Sequence, residues 1–97
     1  MTKFEGIKKK IKELEPLLKE RFEVKRIGIF GSYIKREEKR GSDLDILVEF
    51  SEPISLFKFI ELEEFLSKKL GVKVDLVTKK ALKPLIKNRI IKEAVYV

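Results

Sequence analysis

Asp43 and Asp45 stand one residue apart in the run Asp-Leu-Asp-Ile-Leu-Val-Glu-Phe. Residues two apart on an extended strand project to the same face, with Cα atoms about 6.6 Å apart. Two carboxylates at that spacing can converge on a pair of divalent ions about 3.5–4 Å apart, the separation used in two-metal phosphoryl transfer. Without a cation their mutual repulsion costs stability. Asp75 is a third acid, set in the otherwise apolar stretch Val72-Lys73-Val74-Asp75-Leu76-Val77, where burying an unpaired charge is expensive. If its strand lies beside that of Asp45, it can share the metal and accept a proton from an incoming hydroxyl.

Gly31-Ser32 supplies a fourth element, at the junction of an apolar strand and a short polar segment. Glycine lets the backbone approach a phosphate, and amides at a helix N-terminus together with the Ser32 hydroxyl make an anion site. Lys35, Arg36, Lys39 and Arg40 follow and can neutralise phosphate charge. Each piece has an ordinary explanation: a solvated strand end for the Asp pair, a tight turn for Gly-Ser, an edge residue paired with lysine for Asp75, and a solvated loop for the basic run. Their conjunction and order point to phosphoryl chemistry.

The elements that must hold these residues follow from periodicity. Phe4, Ile7, Ile11, Leu14 and Leu18 form one stripe of an amphipathic helix beginning after Thr2. Pro16 is expected to end it near Leu14 and open a second short helix. Val24 to Phe30 reads as a buried strand closed by Gly31. A short helix over 33–38 and a charged loop to Ser42 lead into a second strand from Asp43 to Phe50. Pro53 and Ser55 start a helix that turns Leu56, Phe59, Ile60, Leu66 and Leu70 inward and is capped by Gly71. Val72 to Val77 is a third strand; beyond Lys79 comes a helical stretch around Pro84 and an extended end at Val95 to Val97. The alternation predicts an α+β fold, a small mixed β-sheet with helices packed mainly on one face.

The chain of 97 residues is expected to form a single domain over 1–97, since a second core could not be filled. It has no cysteine and no histidine. That excludes a disulfide framework, thiolate and imidazole metal sites, and histidine catalysis, and leaves oxygen ligands suited to Mg2+ or Mn2+. A formal charge of +7 suits an anionic partner, although the cations are dispersed and form no basic arm. No signal-type or membrane-spanning run is present, so a cytoplasmic location without membrane contact is expected.

Phe30-Gly31-Ser32, ten intervening residues and Ser42-Asp43-Leu44-Asp45, then Leu70-Gly71 and Val74-Asp75-Leu76-Val77, resemble the signature of the nucleotidyltransferase superfamily of DNA polymerase β. The likeness is to its minimal nucleotidyltransferase (MNT) branch and covers nearly the whole chain. It implies the polymerase β-like nucleotidyltransferase fold. It also implies that Gly31 and Ser32, with Lys35, Arg36 and Ser42 nearby, bind a nucleoside triphosphate, and that Asp43, Asp45 and Asp75 are the catalytic, metal-binding triad for two Mg2+ ions. Members of that branch are commonly antitoxins of HEPN–MNT pairs. The resemblance therefore implies AMP transfer from ATP to a tyrosine hydroxyl of a HEPN ribonuclease toxin, within a homo- or hetero-oligomer. The chain departs from the pattern where relatives carry Arg-Gly: it has Lys35-Arg36, and Lys35 keeps the charge but not the planar fork.

Three other functions compete. A non-catalytic antitoxin would act by occlusion, through the first helix stripe or the tail from Leu85 to Tyr96. A small-molecule nucleotidyltransferase resembling the aminoglycoside-modifying enzymes would need a second domain that this length does not hold. A nucleic-acid-binding module rests on net charge alone and lacks an aromatic platform.

Overall fold

The computed structural model describes residues 3–30, 44–81, 92 and 94–97. Helix α1 (Lys3–Phe22) leads into strand β1 (Val24–Phe30), and strand β2 (Leu44–Phe50) is followed by helix α2 (Leu56–Leu70) and strand β3 (Val74–Thr78). A 3₁₀ turn at Lys79–Ala81 and strand β4 (Val95–Tyr96) complete the described elements. The sheet order is β3-β2-β1-β4. β1 runs antiparallel to β2 and to β4, while β2 and β3 are parallel, joined through α2. This is the mixed α+β sheet the periodicity predicts.

One face of the sheet carries the core. Ile27 and Ile29 of β1, Leu44, Ile46 and Val48 of β2, and Val74 and Leu76 of β3 pack with Ile7, Ile11, Leu18 and Phe22 of α1 and with Leu62 and Leu66 of α2. Both helices therefore cover the same face. At the start of β1, Val24 pairs with Phe50 but Arg26 pairs with Glu49. Two residues of β1 thus oppose one of β2, a bulge that puts the spare residue, Lys25, outside the ladder. The bulge explains why Val24 and Ile27, three apart, are both buried in this cluster.

α1 departs from the expected break. It runs unbroken through Pro16, although proline removes one helical hydrogen bond and its ring crowds the carbonyl four residues back. Pro16 and Lys12, whose carbonyl loses its donor, are both exposed, so that carbonyl can be hydrated. Ile7, Ile11, Leu18 and Phe22 are buried on both sides of the proline, and this shared burial outweighs the missing bond. α2 also differs from expectation. Leu56 and Ile60 do not turn inward: they are 71% and 42% exposed, and Phe57 is 86% exposed. Leu62 and Leu66 are the buried positions, with Phe59, Phe65 and Leu70 packed against the core. The inward stripe is set by the C-terminal half of the helix, where it faces α1 and β3.

The helix ends follow local chemistry. The Ser55 hydroxyl accepts from the Lys58 amide at 3.1 Å, as an N-cap should. Gly71 takes φ 70° at the C-terminus of α2, a left-handed turn that glycine adopts without Cβ strain. Glu23 ends α1 with φ 57°, and there a side chain is strained by about 1–2 kcal/mol. Its carbonyl accepts from the Ser51 amide at 2.8 Å, which ties the α1–β1 junction to the end of β2. Among the described residues no helix is long and apolar enough to cross a membrane.

Two stability measurements check this account. Pro16→Ala should raise the unfolding free energy by about 2 kcal/mol, the helix-interior penalty less the entropy proline removes from the unfolded chain. Urea denaturation reads it, and a lower midpoint would contradict an intact helix. Leu66→Ala should cost about 2–5 kcal/mol through a cavity between α2 and the sheet, whereas Phe57→Ala should leave the midpoint unchanged.

Candidate active site

The second face of the sheet is the one turned away from α1 and α2, and on it Leu47, two residues from Asp45, is fully buried. Asp45 sits between Leu44 and Ile46, both fully buried, and Asp75 between Val74 and Leu76, 3% and 5% exposed. Because side chains alternate along a strand, both aspartates project away from the helices. They are direct Cα partners in the parallel ladder of β2 and β3, about 4.8 Å apart across neighbouring strands. Asp45 is half-buried and Asp75 exposed. The condition set for Asp75, a strand beside that of Asp45 with the same facing, is met.

The ladder begins at this pair. The Leu44 amide donates to the Lys73 carbonyl at 2.8 Å, one peptide before each aspartate's flanking apolar residue. On the other side of β2, Phe30 is the Cα partner of Asp45. β1 therefore ends level with Asp45, and β2 begins one residue before it, at Leu44. Gly31, Ser32, Lys35, Arg36, Ser42 and Asp43 lie outside the described residues. Among the described residues no group of three or more acids gathers, so Asp45 and Asp75 are the part of the expected triad whose relation is fixed.

β3 is an edge strand, and α2 closes its outer edge. The Ser67 hydroxyl accepts from the Val74 amide at 2.9 Å and donates to the Glu63 carbonyl at 2.9 Å. The Glu63 Oε2 atom accepts from the Leu76 amide at 2.9 Å. The two bonds flank Asp75. Sequence reading singles out neither residue; the available signal is a polar pair at i, i+4 spacing, each directly after a core leucine, Leu62 or Leu66.

Further along the same face Glu49 is placed between two cations, and its buried Oε2 atom has no hydrogen-bond partner among the described residues. Glu49 lies 3.8 Å from the Arg26 guanidinium and 3.7 Å from the Lys79 ammonium, and Arg26 stacks 3.9 Å over the Tyr96 ring. Tyr96 in turn packs on Gly28, where a Cβ would stand 3.2 Å from its ring. Glu49 is four residues from Asp45, about 13 Å along the strand.

The donor set suits hard divalent cations: two carboxylate groups on one face, in a chain without histidine or cysteine, offer the oxygen ligands that magnesium and manganese prefer.

Comparison with known proteins agrees with the geometry. A family model described as nucleotidyltransferase domain matches residues 11–97. MntA of Thermococcus cleftensis, a protein adenylyltransferase, is 56% identical over 80 residues, 82% of this chain and 81% of its own. A Methanocaldococcus jannaschii protein named as a candidate protein adenylyltransferase is 46% identical over 98 residues, all of both chains. Among solved structures, a candidate minimal nucleotidyltransferase superposes with a TM-score of 0.82 at 32% identity, covering 95% of this chain and 93% of that one. The complex of a tri-AMPylated HEPN toxin with its MNT antitoxin, from Shewanella oneidensis, contains a chain matching at TM-score 0.67 and 21% identity, over 93% of this chain and 70% of that one. That last likeness is one of fold. With its in-register aspartate pair and this family match, the chain belongs to the nucleotidyltransferase domain family, in its minimal branch.

Proposed function

We propose that this protein is a Mg2+-dependent adenylyltransferase that moves AMP from ATP to a hydroxyl of a HEPN-type ribonuclease toxin, a tyrosine by the family resemblance, and so acts as its antitoxin. The observation that carries the reading is the in-register Asp45–Asp75 pair on the face turned away from α1 and α2. The protein adenylyltransferase relatives support the reaction. The fold shared with an MNT antitoxin bound to an AMPylated toxin supports the partner.

In this reading Gly31 and Ser32 cradle the triphosphate with Lys35, Arg36 and Ser42, and Asp43, Asp45 and Asp75 are the metal ligands. The bound ions would neutralise charge on the phosphates and the departing pyrophosphate. The acceptor oxygen forms its bond to the α-phosphorus as the bond to the bridging oxygen of pyrophosphate breaks. Asp75, the exposed member, takes the hydroxyl proton. The 97 residues work as one domain, in the cytoplasm, with ATP and the toxin as partners and no direct role for nucleic acid.

A second reading, neutralisation by binding alone, is favoured by one observation: Leu56, Phe57 and Ile60 are exposed together at the start of α2. The first-helix stripe cannot serve as that surface, since Ile7, Ile11 and Leu18 are buried in the core.

Incubation with the HEPN-type protein encoded beside it, radiolabelled ATP and Mg2+ should label that protein, and chelation should abolish labelling. Asp45→Asn and Asp75→Asn should each reduce transfer by about a thousandfold, several kcal/mol of lost transition-state stabilisation. Without metal, Asp75→Asn should melt no lower than the wild type, because it removes like charges set directly opposite each other. Toxin neutralisation that survives both substitutions would favour occlusion instead.

A further inference from the structure

The edge position of β3 creates a problem that the ladder alone does not solve. In a parallel ladder successive residues direct their peptide groups alternately toward the neighbouring strand and away from it. The Lys73 carbonyl points to β2, where it meets the Leu44 amide, and Asp75 shares that side. The amides of Val74 and Leu76 point outward, where an edge strand normally leaves them to water. Here each has a designated acceptor from α2: Ser67 Oγ for Val74 and Glu63 Oε2 for Leu76, both at 2.9 Å and both part-buried. The Ser67 proton is committed to the Glu63 carbonyl, which leaves its lone pairs for Val74 and locks its rotamer. The Gly71 cap, its amide on the Ser67 carbonyl at 3.0 Å, turns the chain back so that β3 runs along this face of α2.

We infer that Glu63 and Ser67 are positioning residues for the transfer reaction, a two-point clamp on the peptide groups either side of Asp75 that fixes its carboxylate opposite Asp45. The inference rests on the proposed role of Asp75. Both side chains bond the outer edge of β3 from α2, away from the face that carries Asp45 and Asp75, so their effect passes through the backbone of β3. An ionised carboxylate on an amide is among the stronger hydrogen bonds available to an edge strand. Displacement of a reacting group by about 1 Å is enough to cost about a hundredfold in rate.

The test compares Glu63→Ala, Glu63→Gln and Ser67→Ala with Asp75→Asn in the full chain, using radiolabelled ATP, Mg2+ and the adjacent HEPN-type protein as acceptor. Glu63→Ala should lower kcat at least about tenfold with the KM for ATP within about twofold of wild type, since the nucleotide cradle is untouched. Glu63→Gln keeps a carbonyl oxygen for the Leu76 amide and should restore most of the rate. Amide hydrogen exchange gives a readout independent of activity. Leu76 should lose protection in Glu63→Ala and regain it in Glu63→Gln, and Val74 should lose it in Ser67→Ala, while Ile46 in β2 stays protected.

Equal losses in Glu63→Ala and Glu63→Gln, or an unchanged kcat in Glu63→Ala beside an inactive Asp75→Asn, would overturn the clamp and leave the transfer reading standing. A wild type that labels no acceptor sinks the transfer reading and the clamp's catalytic meaning together.

Discussion

Parallel pairing of β2 with β3 is the constraint from which the rest of the structure follows. It sets Asp45 and Asp75 on the same rung, and no neighbouring register would do: a shift of one residue turns one acid into the core, and a shift of two separates the carboxylates by another 6.6 Å or so. Parallel strands cannot be joined by a tight turn, so the chain must cross over through α2. The crossover helix then covers the core face, with Leu62 and Leu66 buried on Leu76 and its neighbours. The two acids lie on the opposite face. Register, crossover and the facing of the acids are thus one decision, stabilised by the apolar residues that alternate with them.

That arrangement also sets a cost. Two carboxylates directly opposite each other repel. The buried apolar residues that alternate with them, Leu44, Ile46, Val74 and Leu76, fix the strands in the register that sets them opposite. A divalent cation would relieve that repulsion, and two carboxylates on one rung have the chemistry to hold one.

Much of this was legible in the sequence because it depends on short-range patterns. The strand Val24 to Phe30 matches β1, the Gly71 cap is where glycine predicts it, and the apolar run interrupted by Asp75 was enough to predict a strand there, read over Val72 to Val77 and found at Val74–Thr78. The misreadings are cases where tertiary packing decided. Pro16 carries a local signal for a break, but the break is overruled by burial of Ile11 and Leu18 on either side. Leu56 and Ile60 fit a helical stripe yet stay exposed, and periodicity alone cannot say where a partner surface stops. The Gly31-Ser32 turn, the basic run and Asp43 fall outside the described residues, so their readings stand on the sequence pattern and the family.

The clamp on β3 illustrates what no pattern of types and spacings reveals. Glu63 and Ser67 look like ordinary solvent-side residues of an amphipathic helix, and only the fold brings them against the outer amides of an edge strand. The physical need is general. Edge strands open more readily than central ones because half of their peptide groups lack a protein partner, while a metal-binding carboxylate must be held to within about 0.5 Å. A fold that puts a working acid on its edge strand must either add another strand or supply acceptors from elsewhere. In a sheet this small, the crossover helix already lies along that edge, and two of its polar side chains do what a fifth strand would do.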